Sequence, residues 1–147
     1  MGPLKPKQNP KAKGERSEAY IIARLLEVGY NVLTPFGDNA WYDLPIEDAD
    51  GNFWRIQCKT GWLADDGACI EFKTASSYYH TRASRTTNHA RKDYRGEVEY
   101  FAVYLPDMRK VYLVPIDHVG TASAFLRIVP TKNNQQKNVG WAKDYEL

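Results

Sequence analysis

Polar and apolar positions change period several times along the chain. Residues 1–13 hold Pro, Lys, Gln and Asn with almost nothing apolar. They cannot repay the entropy of ordering and read as a flexible arm. Over residues 14–29 the spacing becomes helical, and Ala19, Ile21, Ile22, Leu25, Leu26 and Val28 supply a wide apolar face. Ser17, or a residue just before it, suits the start of this helix and Gly29 its end. Glu18 stands four residues before Ile22 and seven before Leu25, so it lies on the inward stripe. A carboxylate aimed at a core is costly unless something positive meets it. Residues 30–34 read as a strand and residues 35–39 as a loop.

Two further runs, residues 41–46 and 53–60, flank the polar breaker Asp48-Ala49-Asp50-Gly51-Asn52 and predict a β-hairpin. Alternation puts Phe53, Arg55, Gln57 and Lys59 on one face and Trp54, Ile56, Cys58 and Thr60 on the other. The second set is apolar and is expected to face the core. Gln57 and Lys59 then stand together on the wetter face, with Asp43 delivered from the neighbouring strand. An acid, a carbonyl-bearing side chain and a lysine converging across a hairpin are the parts of a metal-dependent phosphodiesterase.

Downstream, residues 62–67 read as a turn or loop and residues 68–73 as a third strand of the same sheet. Residues 74–95 are the least regular stretch, with Arg82, Arg85, Arg91, Lys92 and Arg95 interleaved with Tyr78, Tyr79 and Tyr94. Basic donors among hydroxyls and aromatics suit phosphate gripping and groove contact, and a loop this long is commonly functional or disordered. His80 and His89 lie in it without metal-ligand spacing. Residues 97–105 and 110–114 form a strand pair around Pro106-Asp107-Met108-Arg109. Tyr100 to Leu105 is so apolar that both faces should be covered. A short helix is expected within 116–124, an extended segment over 125–129, and a polar loop over 133–138 that touches DNA or caps the site.

Length and charge refine this picture. The 147 residues fit one domain, so the reading is an arm over 1–13 and a single domain over 14–147, with 74–95 a basic loop. The net charge of +2 argues nothing, but its distribution does. The first sixteen residues carry Lys5, Lys7, Lys11, Lys13 and Arg16 against Glu15, and residues 73–95 hold six basic side chains against Asp93. Acids concentrate between Asp43 and Glu71. A basic arm and a basic segment around an acidic centre suit a protein that holds a polyanion and places metal at its middle; a solvated surface is the plainer alternative. Cys58 and Cys69 lack CxxC spacing and read as free thiols. With no signal peptide and no membrane-length apolar run, a soluble cytoplasmic protein without membrane contact is expected.

Asp43 followed by Gln57-Cys58-Lys59 resembles the active-site signature of the PD-(D/E)XK nuclease superfamily, with Gln57 in place of the second acid. That variant is similar to a branch of group I intron-associated homing endonucleases. The likeness takes in Gly14-Glu15-Arg16-Ser17-Glu18, Pro35-Phe36-Gly37-Asp38, Tyr100 to Tyr104, Asn133-Asn134-Gln135 and Trp141 to Tyr145. The resemblance implies an α/β fold, a mixed central sheet flanked by helices. It also implies a Mg2+-dependent endonuclease on double-stranded DNA, with Mn2+ as a substitute ion. Asp43 would anchor the metal, with Glu18, the amide oxygen of Gln57 and the main-chain carbonyl of Cys58 as further ligands. Lys59 would orient or deprotonate water. Arg16, Arg82, Arg85, Arg91, Lys92 and Arg95 would contact DNA. One small core offers one site, so a homodimer or homotetramer is expected for cutting both strands. A Holliday-junction resolvase, or a DNA-binding module with a decayed site, are the competing expectations.

Overall fold

The computed structural model describes residues 2–7, 9–79, 89–137 and 139–147, without the side chains of 77–79 and 89–92. Helix α1 runs Ala12–Val28 and starts upstream of Ser17, with Lys11 at its N-cap and no side-chain cap. The helix therefore takes in the last residues assigned to the arm. Gly29 closes it in the left-handed region (φ 115°), its N–H donating to the Leu25 and Leu26 carbonyls. The inward stripe is narrower than the sequence suggests. Ser17, Ile21 and Leu25 are buried, whereas Leu26 and Val28 are 55% and 45% exposed.

A five-stranded mixed sheet forms the centre. Its strands are β1 (Asn31–Val32), β2 (Leu44–Glu47), β3 (Phe53–Thr60), β8 (Tyr100–Leu105) and β9 (Lys110–Pro115), in the spatial order β1-β2-β3-β8-β9. Only β3 and β8 pair in parallel. The expected hairpin is the β2–β3 pair, and Asp48 builds its turn. The Asp48 carboxylate accepts the N–H groups of Asp50 and Asn52 at 3.0 and 2.9 Å and the Trp54 indole at 2.8 Å. Gly51, at φ 80°, supplies the left-handed residue.

The remaining strands leave this sheet. β4 (Trp62–Ala64), β5 (Cys69–Lys73) and β10 (Ser123–Arg127) make a second sheet of order β10-β5-β4. Thus part of the expected 62–67 loop is a strand, and the 68–73 strand belongs to another sheet. The described ends of the basic segment are strands, and residues 80–88, with His80, Arg82 and Arg85, lie outside the described residues. β6 (Ala75–Tyr79) pairs antiparallel with β7 (His89–Asp93) from Ala75↔Asp93 to Tyr79↔His89. The helix expected within 116–124 is one 3-10 turn, Ile116–His118.

Gly61 is the corner between the two sheets. A Cβ there would lie 3.0 Å from Val103 Cγ1 and 3.1 Å from Ile70 Cγ2, and its N–H donates to the Tyr104 carbonyl at 2.8 Å. Any side chain would force Val103 and Ile70 to give way, so glycine suits the turn from β3 into β4.

Alternation along β8 then makes two cores. Ala102 and Tyr104 pack with Leu44, Ile46, Ile56 and Val111 beneath Ile21 and Leu25 of α1. Phe101, Val103 and Leu105 face the second sheet through Ile70, Phe72, Ala124 and Leu126. Each fully buried Val, Leu, Ile or Phe among these contributes about 1.5–3 kcal/mol over an exposed one. The mixed central sheet expected of an α/β fold is thus covered by α1 on one face and by the second sheet on the other. The face of β3 that carries Gln57 and Lys59 is the second-sheet face, and it is less wet than alternation alone implies.

Candidate active site

β2 pairs with β3 only as far as Leu44↔Ile56, so among the described residues the outer edge of β3 from Gln57 to Thr60 has no strand beside it. Asp43 stands at that break. Its N–H donates to the Ile56 carbonyl at 2.9 Å, and its Oδ2 accepts the Cys58 N–H at 2.7 Å. The carboxylate takes the place of the missing strand carbonyl, in a charge-assisted bond stronger than a neutral one. The Cys58 carbonyl points to the same open edge, because the N–H and C=O of one strand residue share a side.

On the other edge β3 keeps register with β8, Gln57 beside Phe101 and Lys59 beside Val103. Gln57 and Lys59 therefore face the second sheet. Arg55 shares their face, but Glu99 holds its guanidinium, Nη2 to Oε1 at 2.7 Å and Nε to Oε1 at 3.0 Å. That charge serves the join between β3 and β8.

Lys59 is half-buried. Its Nζ donates to the Tyr94 hydroxyl at 3.2 Å and sits 4.6 Å from the centre of the same ring. Tyr94 is 6% exposed and meets Phe101 edge-on. No ion pair joins Lys59 to Asp43 among the described residues.

Glu18 arrives from α1. The residue before it, Ser17, is 3% exposed, and its Oγ lies 2.6 Å from Thr60 Oγ1. This buried bond fixes the rotation of α1 against the end of β3, one residue beyond Lys59. Ser17 is a pin between helix and sheet, not a cap.

The electrostatics join the groups. Burial pushes the Glu18 carboxyl up, and Asp43 then Glu15 push it further. Burial likewise raises Asp43, against the Cys58 N–H and Lys59, which lower it. Lys59 is held down by burial, with Asp43 pulling back up and Lys73 adding to the depression. The Cys58 thiol is pushed far up by burial, then by Asp43 and Glu18. It stays protonated and is no nucleophile.

Glu18, Asp43 and Lys59 are thus brought together by three separate elements, and Gln57 shares the face of Lys59. Of the basic residues read as DNA contacts, Arg16 is exposed on α1, away from the second-sheet face. Arg95 is exposed and tied to Asp93 at 3.9 Å and to the Val119 carbonyl at 3.4 Å. Arg82 and Arg85 lie outside the described residues, and Arg91 and Lys92 are described by backbone alone, in β7. Sequence reasoning missed Tyr94 at the site, having grouped it with the surface aromatics of the basic stretch.

The sequence pattern of the family described as PD-(D/E)XK endonuclease matches residues 8–147. Among solved structures, the bacterial homing endonuclease I-Ssp6803I superposes with a TM-score of 0.68, covering 95% of this chain and 89% of its own. The two are 24% identical, so that likeness speaks for the fold. No curated protein matches significantly.

Proposed function

The chain belongs to the PD-(D/E)XK endonuclease family, and from that premise we propose that it hydrolyses phosphodiester bonds of double-stranded DNA with Mg2+, as a homing-type endonuclease. Glu18, Asp43, Gln57 and Lys59 form its active site in this reading. The observation that carries it is the convergence of Glu18, Asp43 and Lys59 at the open edge of β3, with Asp43 raising the proton affinity of Glu18.

The donor set fits a hard divalent cation. Two carboxylates that repel one another are relieved by a cation between them, and Gln57 adds a neutral oxygen. No group of three or more His, Cys, Asp and Glu suited to a metal occurs among the described residues. Mg2+ tolerates this, since one or two carboxylates and a substrate phosphate satisfy it, and Mn2+ accepts the same oxygens. When bound, the ion supplies an activated water and screens charge on the transferring phosphorus.

The protein's own groups do the rest. Asp43, fixed by the Cys58 N–H, keeps Oδ1 for a ligand. Lys59, its pKa lowered by burial, is suited to orient the attacking water, to take its proton, or to place positive charge on the phosphate oxygens. Tyr94 holds that ammonium in place. The reading includes the Cys58 carbonyl as a further ligand and two or four copies per DNA site. It also carries a cytoplasmic location; no helix among the described residues is long and apolar enough to cross a membrane.

A four-way-junction resolvase would use the same core. The solved neighbour titled a bacterial homing endonuclease favours the duplex reading. The test is incubation with Mg2+ and plasmid, four-way-junction and candidate intron-insertion DNA, with Lys59→Ala as control. Cutting of one duplex site by the wild type alone is expected. Cutting of junctions of any sequence selects the resolvase, and equal cutting by Lys59→Ala removes the site.

A further inference from the structure

At the end of the sheet where β3 and β8 finish, α1 and the β8–β9 turn enclose a cleft of about 370 Å3 lined by Lys13, Arg16, Ser17, Tyr20, Tyr104, Pro106 and Arg109. Tyr104 pairs with Thr60, the residue after Lys59, so the cleft begins one residue beyond the candidate active site on the helix side of the sheet. Its floor is the Tyr20–Tyr104 stack, with ring centres 4.5 Å apart and planes 6° from parallel.

Three cations meet there, and none of Lys13, Arg16 and Arg109 forms an ion pair among the described residues. The contrast with the hollow next door is informative. That hollow also touches Tyr20, Tyr104 and Arg109, but its Lys110 is paired with Glu146 at 2.6 Å and its Arg24 with Glu27. Charge is neutralised in one and left unmatched in the other. Both arginines also act on the same hydroxyl: burial raises the Tyr104 pKa, and Arg109 and Arg16 oppose it.

Arg109 carries a second sign. Among the described non-glycine residues with positive φ are Asp65, Asp66, Asn134 and Arg109, the last at 51°. Asp and Asn tolerate that region, and glycine is at ease in it. An arginine is a poor choice for the turn itself, so the turn does not explain its side chain.

We propose that Lys13, Arg16 and Arg109 grip a backbone phosphate of the DNA beside the cut, using the cleft as a second anchor for the duplex. The proposal rests on the nuclease reading for its ligand. It adds Lys13 and Arg109 to the contacts and puts Arg16 to a specific task. Arginines on a phosphate position the duplex and carry no base sequence. The cleft therefore sets affinity and register without taking part in the chemistry.

The experiment is a salt titration of affinity for a labelled duplex of mixed sequence, without divalent metal. It uses the full chain and its Arg16→Ala, Arg109→Ala, Arg16→Lys, Arg109→Lys and Arg24→Ala variants. Each alanine variant at the cleft should lose about tenfold in affinity. The slope of log K against log salt should become shallower in each, by at most about 0.9 for the one phosphate they share. The lysine variants should keep the slope, and Arg24→Ala should match the wild type. Wild-type slopes in both cleft alanine variants overturn the cleft, as does equal loss in the lysine variants. If the wild type binds duplex but never cuts it, the nuclease reading fails while the slopes still decide the cleft.

Discussion

The Lys59 ammonium is seated on Tyr94, 3.2 Å from its hydroxyl and 4.6 Å from its ring centre, and not on the carboxylate of Asp43. An ammonium paired with a carboxylate would be held charged and in place. One resting on a phenol in a half-buried site is less firmly protonated. Tyr94→Phe keeps the ring and its packing on Phe101 but removes the acceptor. The charged form of Lys59 then loses a hydrogen bond and its pKa falls further. We expect a roughly threefold to thirtyfold loss of rate, as for one mispositioned group, and a pH–rate profile whose acidic limb moves to lower pH. An unmoved profile would make Tyr94 a packing residue only.

Lys59→Ala and Asp43→Asn should each reduce cutting by at least about 10²-fold and leave duplex binding within about threefold of wild type. Asp43→Asn retains an oxygen for the Cys58 N–H, so the β2–β3 join should survive. Gel-shift and single-turnover cleavage separate the two effects. Loss of binding in both variants would mean that the residues are structural.

Glu18 and Asp43 both titrate above the ordinary carboxylate range. In that range the folded chain binds more protons than the unfolded one, so their contribution to stability falls as pH rises through it. Ionising either carboxyl therefore costs the folded chain stability. Glu18→Gln should therefore raise the melting temperature of the metal-free protein while weakening metal binding. Added Mg2+ should stabilise the wild type more than the variant. Metal titration of the wild type should show modest affinity that tightens when duplex is present; tight binding to the free protein would contradict this.

Gly61→Ala forces a Cβ to 3.0 Å from Val103 and 3.1 Å from Ile70. Overpacking of this kind costs about 1–3 kcal/mol. Urea unfolding should show a lower midpoint with an unchanged slope.

Much of this was legible in the sequence where a short-range rule governs. Gly29 ends α1, Asp48 and Gly51 turn the hairpin, and period-two alternation puts Gln57 and Lys59 on one side. Glu18 was readable as an inward carboxylate, since its spacing from Ile22 and Leu25 is fixed by the helix. What escaped depends on distant neighbours. The face of Lys59 reads as wet because nothing in β3 announces that β5 and β10 will cover it. Ser17 reads as a cap because its real partner, Thr60, is far along the chain. β6 (Ala-Ser-Ser-Tyr-Tyr) and β7 (His-Ala-Arg-Lys-Asp) show no apolar alternation, so only their pairing reveals them. Tyr94 looked like a surface aromatic among arginines, and burial at 6% exposure is a tertiary fact.

The place where β2 ends early has a cost in solubility as well as a use in chemistry. Bare main chain at a sheet margin is a template onto which another polypeptide can add a strand, the usual start of aggregation. Here the Asp43 carboxylate already occupies the Cys58 amide, and α1 is pinned over Thr60 by Ser17. An incoming backbone finds its donor taken, while a small ligand still has room. The same acid that would serve the reaction also keeps copies of the protein from zipping together at this margin.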